Sequence, residues 1–539
     1  MASRRFRMML TASITAASLG FSLTPAIADE AVTVATAPSV GFDSGVERDV
    51  PFTAVPHDVV LGVGATQSEL IFNWITAQGL TGQVAQISLD DTFASPITVD
   101  AVSENVSIVN TEGDSRDRAE GEYVEYRDGA VNRATVDSLA ENTTYSYRVG
   151  SEADGWSEVQ TFNTGTYGDN WNFLFFGDTQ LYNTHSNRAE EVQNWANNLE
   201  RATTENPGTS FILSAGDQAN HSSWDEHSAY ISPETLRNYR LAVNNGNHDQ
   251  YNYDAYNAMY PRPNQVDENY FFEYNNALFL SLDSNDYLDI DDDIAFLRDT
   301  VAAHGDDKDW IVLTYHHSTF SQAYHMDDAR IKYQRERLTP VISELNVDLV
   351  LGGHDHIYTR SHLMNGFTPV DAGREAVVGE TLNPKAGEVV YLATNSSSGS
   401  KFYDFYDFQL GQRYDTGLDF QETVDQKKIR TYTAVWNQDQ VQDYTNVELT
   451  PEGLTVTTKD AVSGELVDQF TLSKQDRDEE SEVPVEDDKD GDNATGSSNL
   501  GLAAILAPVL AIFGFVGGLF VGGGFLAEFF ANLGVKMPF

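Results

Sequence analysis

Between Pro56 and Thr164 apolar and polar positions recur with a period of two. Leu70, Phe72 and Trp74 alternate with Ile71, Asn73 and Ile75, and Tyr145, Tyr147 and Val149 repeat the alternation. This pattern predicts strands that bury one face, as in an all-β module. From about Trp171 the pattern changes. Short apolar runs end abruptly in glycine followed by a polar donor: Phe173 to Phe176 leads into GDTQ at 177–180, Phe211 to Leu213 into GDQAN at 216–220, and Leu241 to Val243 into GNHD at 246–249. Trp310 to Leu313 leads to Tyr315-His316-His317, and Leu349 to Leu351 leads into GGHDH at 352–356. Helical spacing fills the intervals, for example Val192, Trp195, Leu199 and Ala202. Buried strands alternating with helices predict an α/β layout whose ligands sit at the carboxyl ends of the strands.

The two ends of the chain carry different patterns. Arg4, Arg5 and Arg7 precede a mostly apolar stretch from Met8 to Phe21, and Ala26-Ile27-Ala28 fits a cleavage site before Asp29. Residues 1–28 therefore read as a secretory signal, followed by an extension over 29–55. Leu500 to Ala527 holds 28 residues without a charge, enough to cross a bilayer as one tilted helix. Gly514, Gly518 and Gly522 lie four apart there, a face on which two such helices can self-associate. Between the α/β part and this span, residues 474–499 carry ten acidic residues and almost nothing apolar. That composition predicts a spacer holding the catalytic part, outside the cell, off the membrane.

Composition narrows the function classes. The 539 residues hold 33 Lys+Arg against 82 Asp+Glu, a net charge of −49, which excludes nucleic acid as a structural partner. There is no cysteine, so disulfides, thiolate metal sites and a cysteine nucleophile are all excluded.

The strand-end residues make chemical sense as a set. Asp178, Asp217, Asn247, His316, His354 and His356 are oxygen and nitrogen donors without sulfur. Imidazole with carboxylate suits Fe, Mn or Zn better than Ca or Mg. Two such ions about 3.5 Å apart, sharing one carboxylate, clamp a phosphoryl group. Taken singly each motif is weak, since a strand-end Asp often caps a helix and a lone His is usually structural. Five in this order point to one metal-dependent site.

On these motifs the chain resembles the purple acid phosphatases of the calcineurin-like metallophosphoesterase superfamily, over roughly residues 56–472. The resemblance implies a fibronectin type III-like domain over 56–165. It implies an α/β metallophosphoesterase sandwich over 166–473, two mixed sheets flanked by helices, and the terminal span adds one transmembrane helix. It also implies a binuclear centre in which one ion takes Asp178, Asp217 and His356. The other takes Asp217, Asn247, His316 and His354. The family's substrate-facing histidines fall on His248 and His325, and Arg360 in HIYTR matches as well. The implied reaction is hydrolysis of phosphate monoesters, an acid phosphatase using a metal-bound hydroxide. A phosphodiesterase or nucleotidase would use the same metals. A non-catalytic surface protein on the same scaffold would be expected to have lost a ligand, and none of the six is missing.

Two positions depart from the family. Asn220 stands where the family has the tyrosine whose bond to ferric iron gives the purple colour, which predicts two divalent ions instead. Gln180 stands where the family has Gly and the wider superfamily a ligating His. It reads either as an amide-oxygen ligand or as a hydrogen-bonding neighbour. His317 reads as a residue behind the ligands, Asp249 as the group orienting His248, and His185 and His221 as surface residues near the mouth. Tyr403 and the run from Asn395 to Ser400 read as a rim of the pocket.

Overall fold

The computed structural model describes residues 52–109, 126–183, 187–414, 429–474 and 476–480. The signal sequence, most of the acidic spacer and the apolar C-terminal stretch expected from the sequence lie outside the described residues. Among the described residues no helix is long and apolar enough to cross a membrane.

The period-two segment forms strands, as its alternation predicts. His57–Val63, Leu70–Thr76, Val102–Val109 and Tyr126–Val136 lie in one sheet, and Val84–Ser88, Ile97–Asp100, Thr144–Ser151, Gly155–Trp156 and Gln160–Asn163 in a second. Leu70, Phe72 and Trp74 pack with Ile87, Tyr145, Tyr147 and Val149 in the core between them. The intervening positions are not solvent-facing. Ile75 joins the apolar cluster of the α/β part, and the Asn73 amide donates to the carbonyls of Ala258 and Met259 at 3.1 and 2.9 Å.

The α/β part is built of two mixed sheets covered by helices. In the first sheet Trp171–Phe176, Phe211–Ser214 and Arg240–Val243 run parallel, with Asp443–Leu449 antiparallel beyond Trp171–Phe176. This sheet does not stop at the expected domain boundary. His57–Val63 pairs in parallel with Arg240–Val243 through Gly62 and Leu241, so the N-terminal strands continue the catalytic sheet. The second sheet has seven strands, including Ala277–Leu282, Trp310–His317, Leu349–Gly353 and Val390–Ala393 in parallel order.

The apolar runs explain this arrangement, because each strand presents residues to both faces. Phe173, Phe211, Phe272 and Phe279 meet between the sheets, with ring centroids 4.8–5.4 Å apart. Leu174 and Phe176 face outward instead, under Trp195 and Leu199 of the helix Arg188–Glu205. Helices Ile290–His304 and Ala329–Glu344 cover the outer face of the second sheet.

One expectation needs correction. The acidic spacer was expected to begin at residue 474, yet Asp476–Glu480 forms a strand parallel to Lys385–Ala386. A β-ladder is made by backbone groups, so a sequence without apolar side chains can still extend an existing edge.

Candidate metal centre

Asp178 follows the strand Trp171–Phe176, Asp217 follows Phe211–Ser214, and Asn247 follows Arg240–Val243. His316 ends Trp310–His317, and His354 and His356 follow Leu349–Gly353. Because these strands are neighbours in two facing sheets, their carboxyl ends bring the six donors to one place. The turns are tight. A Cβ on Gly353 would lie 2.1 Å from Asp178 Oδ1, and one on Gly246 would lie 2.0 Å from Asp217 Oδ1. Gln180, Asp217, His354 and His356 all hold positive φ, between 39° and 72°. Non-glycine residues in that region cost about 1–3 kcal/mol each, a strain concentrated at functional sites.

The carboxylates are buried and bonded to backbone. Asp178 accepts the His354 N–H at 2.9 Å, and Asp217 Oδ1 accepts the His248 N–H at 2.8 Å. His316 Nδ1 donates to the Ala215 carbonyl at 3.0 Å, and His356 Nδ1 donates to the Lys401 carbonyl at 3.0 Å. Those bonds fix the tautomers and turn both Nε2 atoms inward. His316 Nε2 then lies 3.3 Å from Asp217 Oδ2 and 3.1 Å from Asn247 Oδ1, and His356 Nε2 lies 3.1 Å from Asp178 Oδ2. His354 Nδ1 is 3.3 Å from His316 Nε2. One donor atom each from Asp178, Asp217 and His316 falls within a 4.8 Å cluster.

The electrostatics call for a cation here. Burial disfavours the imidazolium of His316, but Asp217 and Asp178 outweigh burial and push it up to about 10. Burial likewise opposes ionisation of Asp217, yet His316 and His248 hold it well below the usual carboxylate range. Two buried carboxylates facing inward-turned imidazole nitrogens, without sulfur, fit borderline divalent ions. A buried acceptor, Gln180 Oε1, has no hydrogen-bond partner among the described residues and adds a further oxygen donor beside them.

The remaining predicted residues fall in several places. Gln180 Nε2 donates to Asn220 Oδ1 at 2.9 Å and to His248 Nε2 at 2.9 Å. His248 Nδ1 donates to the Asn220 carbonyl at 2.6 Å, so both its nitrogens are engaged. His325 donates from Nδ1 to Asp328 Oδ2 at 2.7 Å, and its Nε2 is 3.4 Å from the Tyr403 hydroxyl. His317 lies behind His354, with ring centroids 4.4 Å apart, bridged to Ser284 and Arg330. His221 is held by Glu226 at 3.1 Å, and His185 lies outside the described residues.

Three readings change. Asp249 does not orient His248. Its carboxylate accepts the N–H groups of Gly246, Gln218 and Ala219, tying the second and third motif turns together. Arg360 does not reach the site, because strand alternation over Tyr358–Ser361 points it away. It is buried in ion pairs with Asp468 and Glu380, both at 2.7 Å. The run from Asn395 to Ser400 is a strap more than a rim. Ser396 Oγ and the Ser397 N–H both bond the Asp178 carbonyl at 3.1 Å, and Ser398 Oγ bonds the Thr179 carbonyl.

Two cations were missed by sequence reasoning. Lys401 is half-buried, its ammonium 4.7 Å above the Tyr403 ring, and burial lowers its pKa against the pull of Asp217 and Asp178. Its only signal was its place at the end of a sixth strand-end polar run, after Val390–Ala393. Arg330 donates to His317 Nε2 at 2.9 Å and stacks over Tyr287, and no periodic or motif signal marked it. Arg330, Asn247, His317, His325 and His354 form one end of a cleft of about 760 Å³.

Comparison with known proteins agrees with this geometry. Residues 56–164 match the family model described as purple acid phosphatase, N-terminal domain, and residues 172–358 match calcineurin-like phosphoesterase. A purple acid phosphatase from yellow lupin (Lupinus luteus) seeds is similar in fold at 14% identity and TM-score 0.58, covering 78% of this chain and 75% of that one. GAP50, the anchor in the inner membrane complex of Plasmodium, is similar at 15% identity and TM-score 0.39, covering 57% of this chain and 90% of its own. No curated protein matches the chain in sequence. With both halves of the described architecture matched in order, the chain is a purple acid phosphatase-like protein of the calcineurin-like metallophosphoesterase superfamily, a metal-dependent phosphoric ester hydrolase.

Proposed function

We propose that this protein is an exported acid phosphatase that hydrolyses phosphate monoesters at the cell surface. The observation that carries the reading is the pair of inward-turned Nε2 atoms of His316 and His356, set against buried Asp178 and Asp217 at the end of a cleft. Asp178, Asp217 and His356 would hold one divalent ion, and Asp217, Asn247, His316 and His354 the second, with Gln180 Oε1 beside them. Such a pair supplies Lewis-acid polarisation of the phosphoryl group and an activated water near neutral pH.

The chain's own residues do the rest. Arg330 lines the cleft and Lys401 feels the charges of Asp217 and Asp178, so both bring positive charge near the donors and favour an anionic ester despite the acidic exterior. His325 is the proton donor to the leaving oxygen. Asp328 fixes its ring through Nδ1, and the ring, with Nε2 3.4 Å from the Tyr403 hydroxyl, lines the cleft. His248, expected to face the substrate, changes role in this reading: Gln180 and the Asn220 carbonyl engage both ring nitrogens, and its backbone N–H positions the Asp217 turn. The straps from Ser396 to Ser398 keep the Asp178 turn rigid, which preserves the spacing that in-line attack requires.

The basic, apolar start of the chain and the uncharged stretch from Leu500 to Ala527 support export and anchoring, with the glycine face available for self-association. The test compares p-nitrophenyl phosphate with bis(p-nitrophenyl) phosphate on metal-loaded protein. Faster turnover of the monoester is expected. Preference for the diester would assign the site to a phosphodiesterase.

A further inference from the structure

Lys401 carries an ammonium that the fold leaves without an anion. Lys308, Lys332, Lys459 and Lys474 each reach a carboxylate within 4.0 Å. Among the described residues Lys401 Nζ reaches no carboxylate and no hydrogen-bond acceptor. The chain has a net charge of −49, so a shortage of anions does not explain this.

The position of Lys401 is fixed by its neighbours. Ser400, just before it, is tied on two sides: its Oγ donates to the Thr179 carbonyl at 3.1 Å, and its carbonyl accepts the Asn183 amide at 2.9 Å. The Lys401 carbonyl accepts His356 Nδ1 at 3.0 Å. The side chain then lies over the Tyr403 ring, with Nζ 4.7 Å from the centroid. That ring in turn meets His356 and His325, at centroid distances of 5.0 and 5.3 Å. The ammonium is thus anchored to a donor of the metal centre through its backbone and to the proton donor through Tyr403. It interacts electrostatically with Asp178, Asp217 and His248. Contact with a ring face leaves its N–H donors without an oxygen, and a half-buried ammonium has also lost part of its hydration.

The same corner lacks another donor. His248 Nδ1 donates to the Asn220 carbonyl at 2.6 Å, and Nε2 receives the Gln180 amide at 2.9 Å, so the ring offers no N–H to an incoming phosphate. Arg330 is committed elsewhere, to His317 and the Tyr287 ring. Lys401 is the cation left free to turn.

We infer that Lys401 is a catalytic residue, donating an ammonium N–H to a non-bridging oxygen of the phosphoryl group. The inference rests on the phosphatase reading above. Lys401 keeps its proton throughout, and the proton that leaves with the alcohol comes from His325. The flexible lysine stem lets the donor follow the oxygen as the phosphoryl group moves from leaving to entering oxygen, where a fixed positive group aimed at developing charge is most effective.

The absence of cysteine from the chain permits a site-specific test. Lys401→Cys gives the full chain a single thiol. 2-Bromoethylamine alkylates it: the thiolate sulfur forms the S–C bond as bromide leaves, and the product restores the length and charge of lysine. Bromoethane adds the same two carbons without the nitrogen. The backbone carbonyl that holds His356 is present in every form, so metal content by elemental analysis should stay level. Lys401→Cys and its ethylated form should lose about 10²–10³-fold in kcat/KM for p-nitrophenyl phosphate, and the aminoethylated form should regain most of that loss. A parent-like rate in Lys401→Cys, or equal rates in the ethylated and aminoethylated forms, overturns the inference. Should Lys401→Cys fail to fold, Lys401→Arg must turn over faster than Lys401→Met, and equal rates in those two overturn it.

If the parent hydrolyses no ester, the phosphatase reading has failed, and calorimetry with inorganic phosphate on the metal-loaded full chain decides Lys401 by itself. Binding weakened about tenfold or more in the ethylated form, and restored in the aminoethylated form, supports the inference. Absence of phosphate binding in the parent, or equal affinity in the two alkylated forms, overturns it.

Discussion

Asp217 carries the most demanding role of any single side chain here. Its two oxygens face different partners, the His248 N–H and His316 Nε2, and it sits at positive φ on a turn that admits no larger neighbour than Gly246. Asp217→Ala should therefore empty both metal positions and abolish turnover of p-nitrophenyl phosphate, with metal content read by elemental analysis. His325→Ala should keep the metals and lose about 10²–10⁴-fold in rate, because His325 touches the donors only through the His354 ring, 4.3 Å away. Asn220 makes a prediction of another kind. Its Oδ1 is engaged by Gln180, and an amide is a neutral donor that gives no phenolate-to-iron charge transfer. The protein purified without chelator should be colourless with two divalent ions, and a strong visible band with stoichiometric iron would contradict this. Asp293 supplies a pH test away from the metals. Burial first, then Asp283, Asp286 and Asp289, push its carboxyl up to about 7 from 3.8. A raised carboxyl contributes stability that is full below the unfolded value and is lost as pH rises to about 7. Asp293→Asn, which keeps an oxygen for Asn269, should gain stability over the parent at pH 8 and little or none at pH 4, measured by thermal unfolding.

At the scale of elements, the strand ends were legible and the partners of strands were not. Each catalytic strand announces itself as a short apolar run broken by glycine and a donor, because a buried parallel strand is apolar on both faces and its ligand must sit where the chain turns. Arg360 shows where this reading stops. Its motif position was legible, but Tyr358 and Arg360 share a strand face, and both bond Asp468 on Leu466–Ser473, a strand over a hundred residues away in sequence. Arg330 and Lys401 were illegible for the same reason, since their proximity to the donors is created only by packing. Arg360 has a 0% exposed side chain against a 0% exposed Asp468. Arg360→Met should therefore destabilise by about 3–5 kcal/mol by stranding buried charge, read in denaturant unfolding. The metal content and kcat of the folded fraction should stay unchanged. A loss of kcat at full metal occupancy would instead return Arg360 to the substrate.

For the whole molecule, the sheet rather than the sequence boundary decides what can be removed. Period-two alternation correctly marked the N-terminal strands, but it does not encode which edge they join, and His57–Val63 completes the catalytic sheet beside Arg240–Val243. The N-terminal module is thus expected to be indispensable to folding of the α/β part. The C-terminal side follows the same logic. Leu466–Ser473 is an interior strand, paired on one side to Gly453–Asp460 and on the other to Glu380–Leu382, and its last residue Ser473 still pairs with Gly453. Beyond it, Asp476–Glu480 continues onto Lys385–Ala386. A cut at Leu472 would clip the end of this interior strand and remove the edge that follows. A cut after Glu480 keeps every described strand and every residue of the site while deleting the uncharged stretch from Leu500 to Ala527. The chain ending at Glu480 should be soluble and fully active, and the one ending at Leu472 should unfold at lower temperature. The full chain should sediment with membranes and release its activity on protease treatment of the acidic segment. Recovery of the full chain in the soluble fraction without detergent would remove the anchor from the proposal and leave the hydrolase standing.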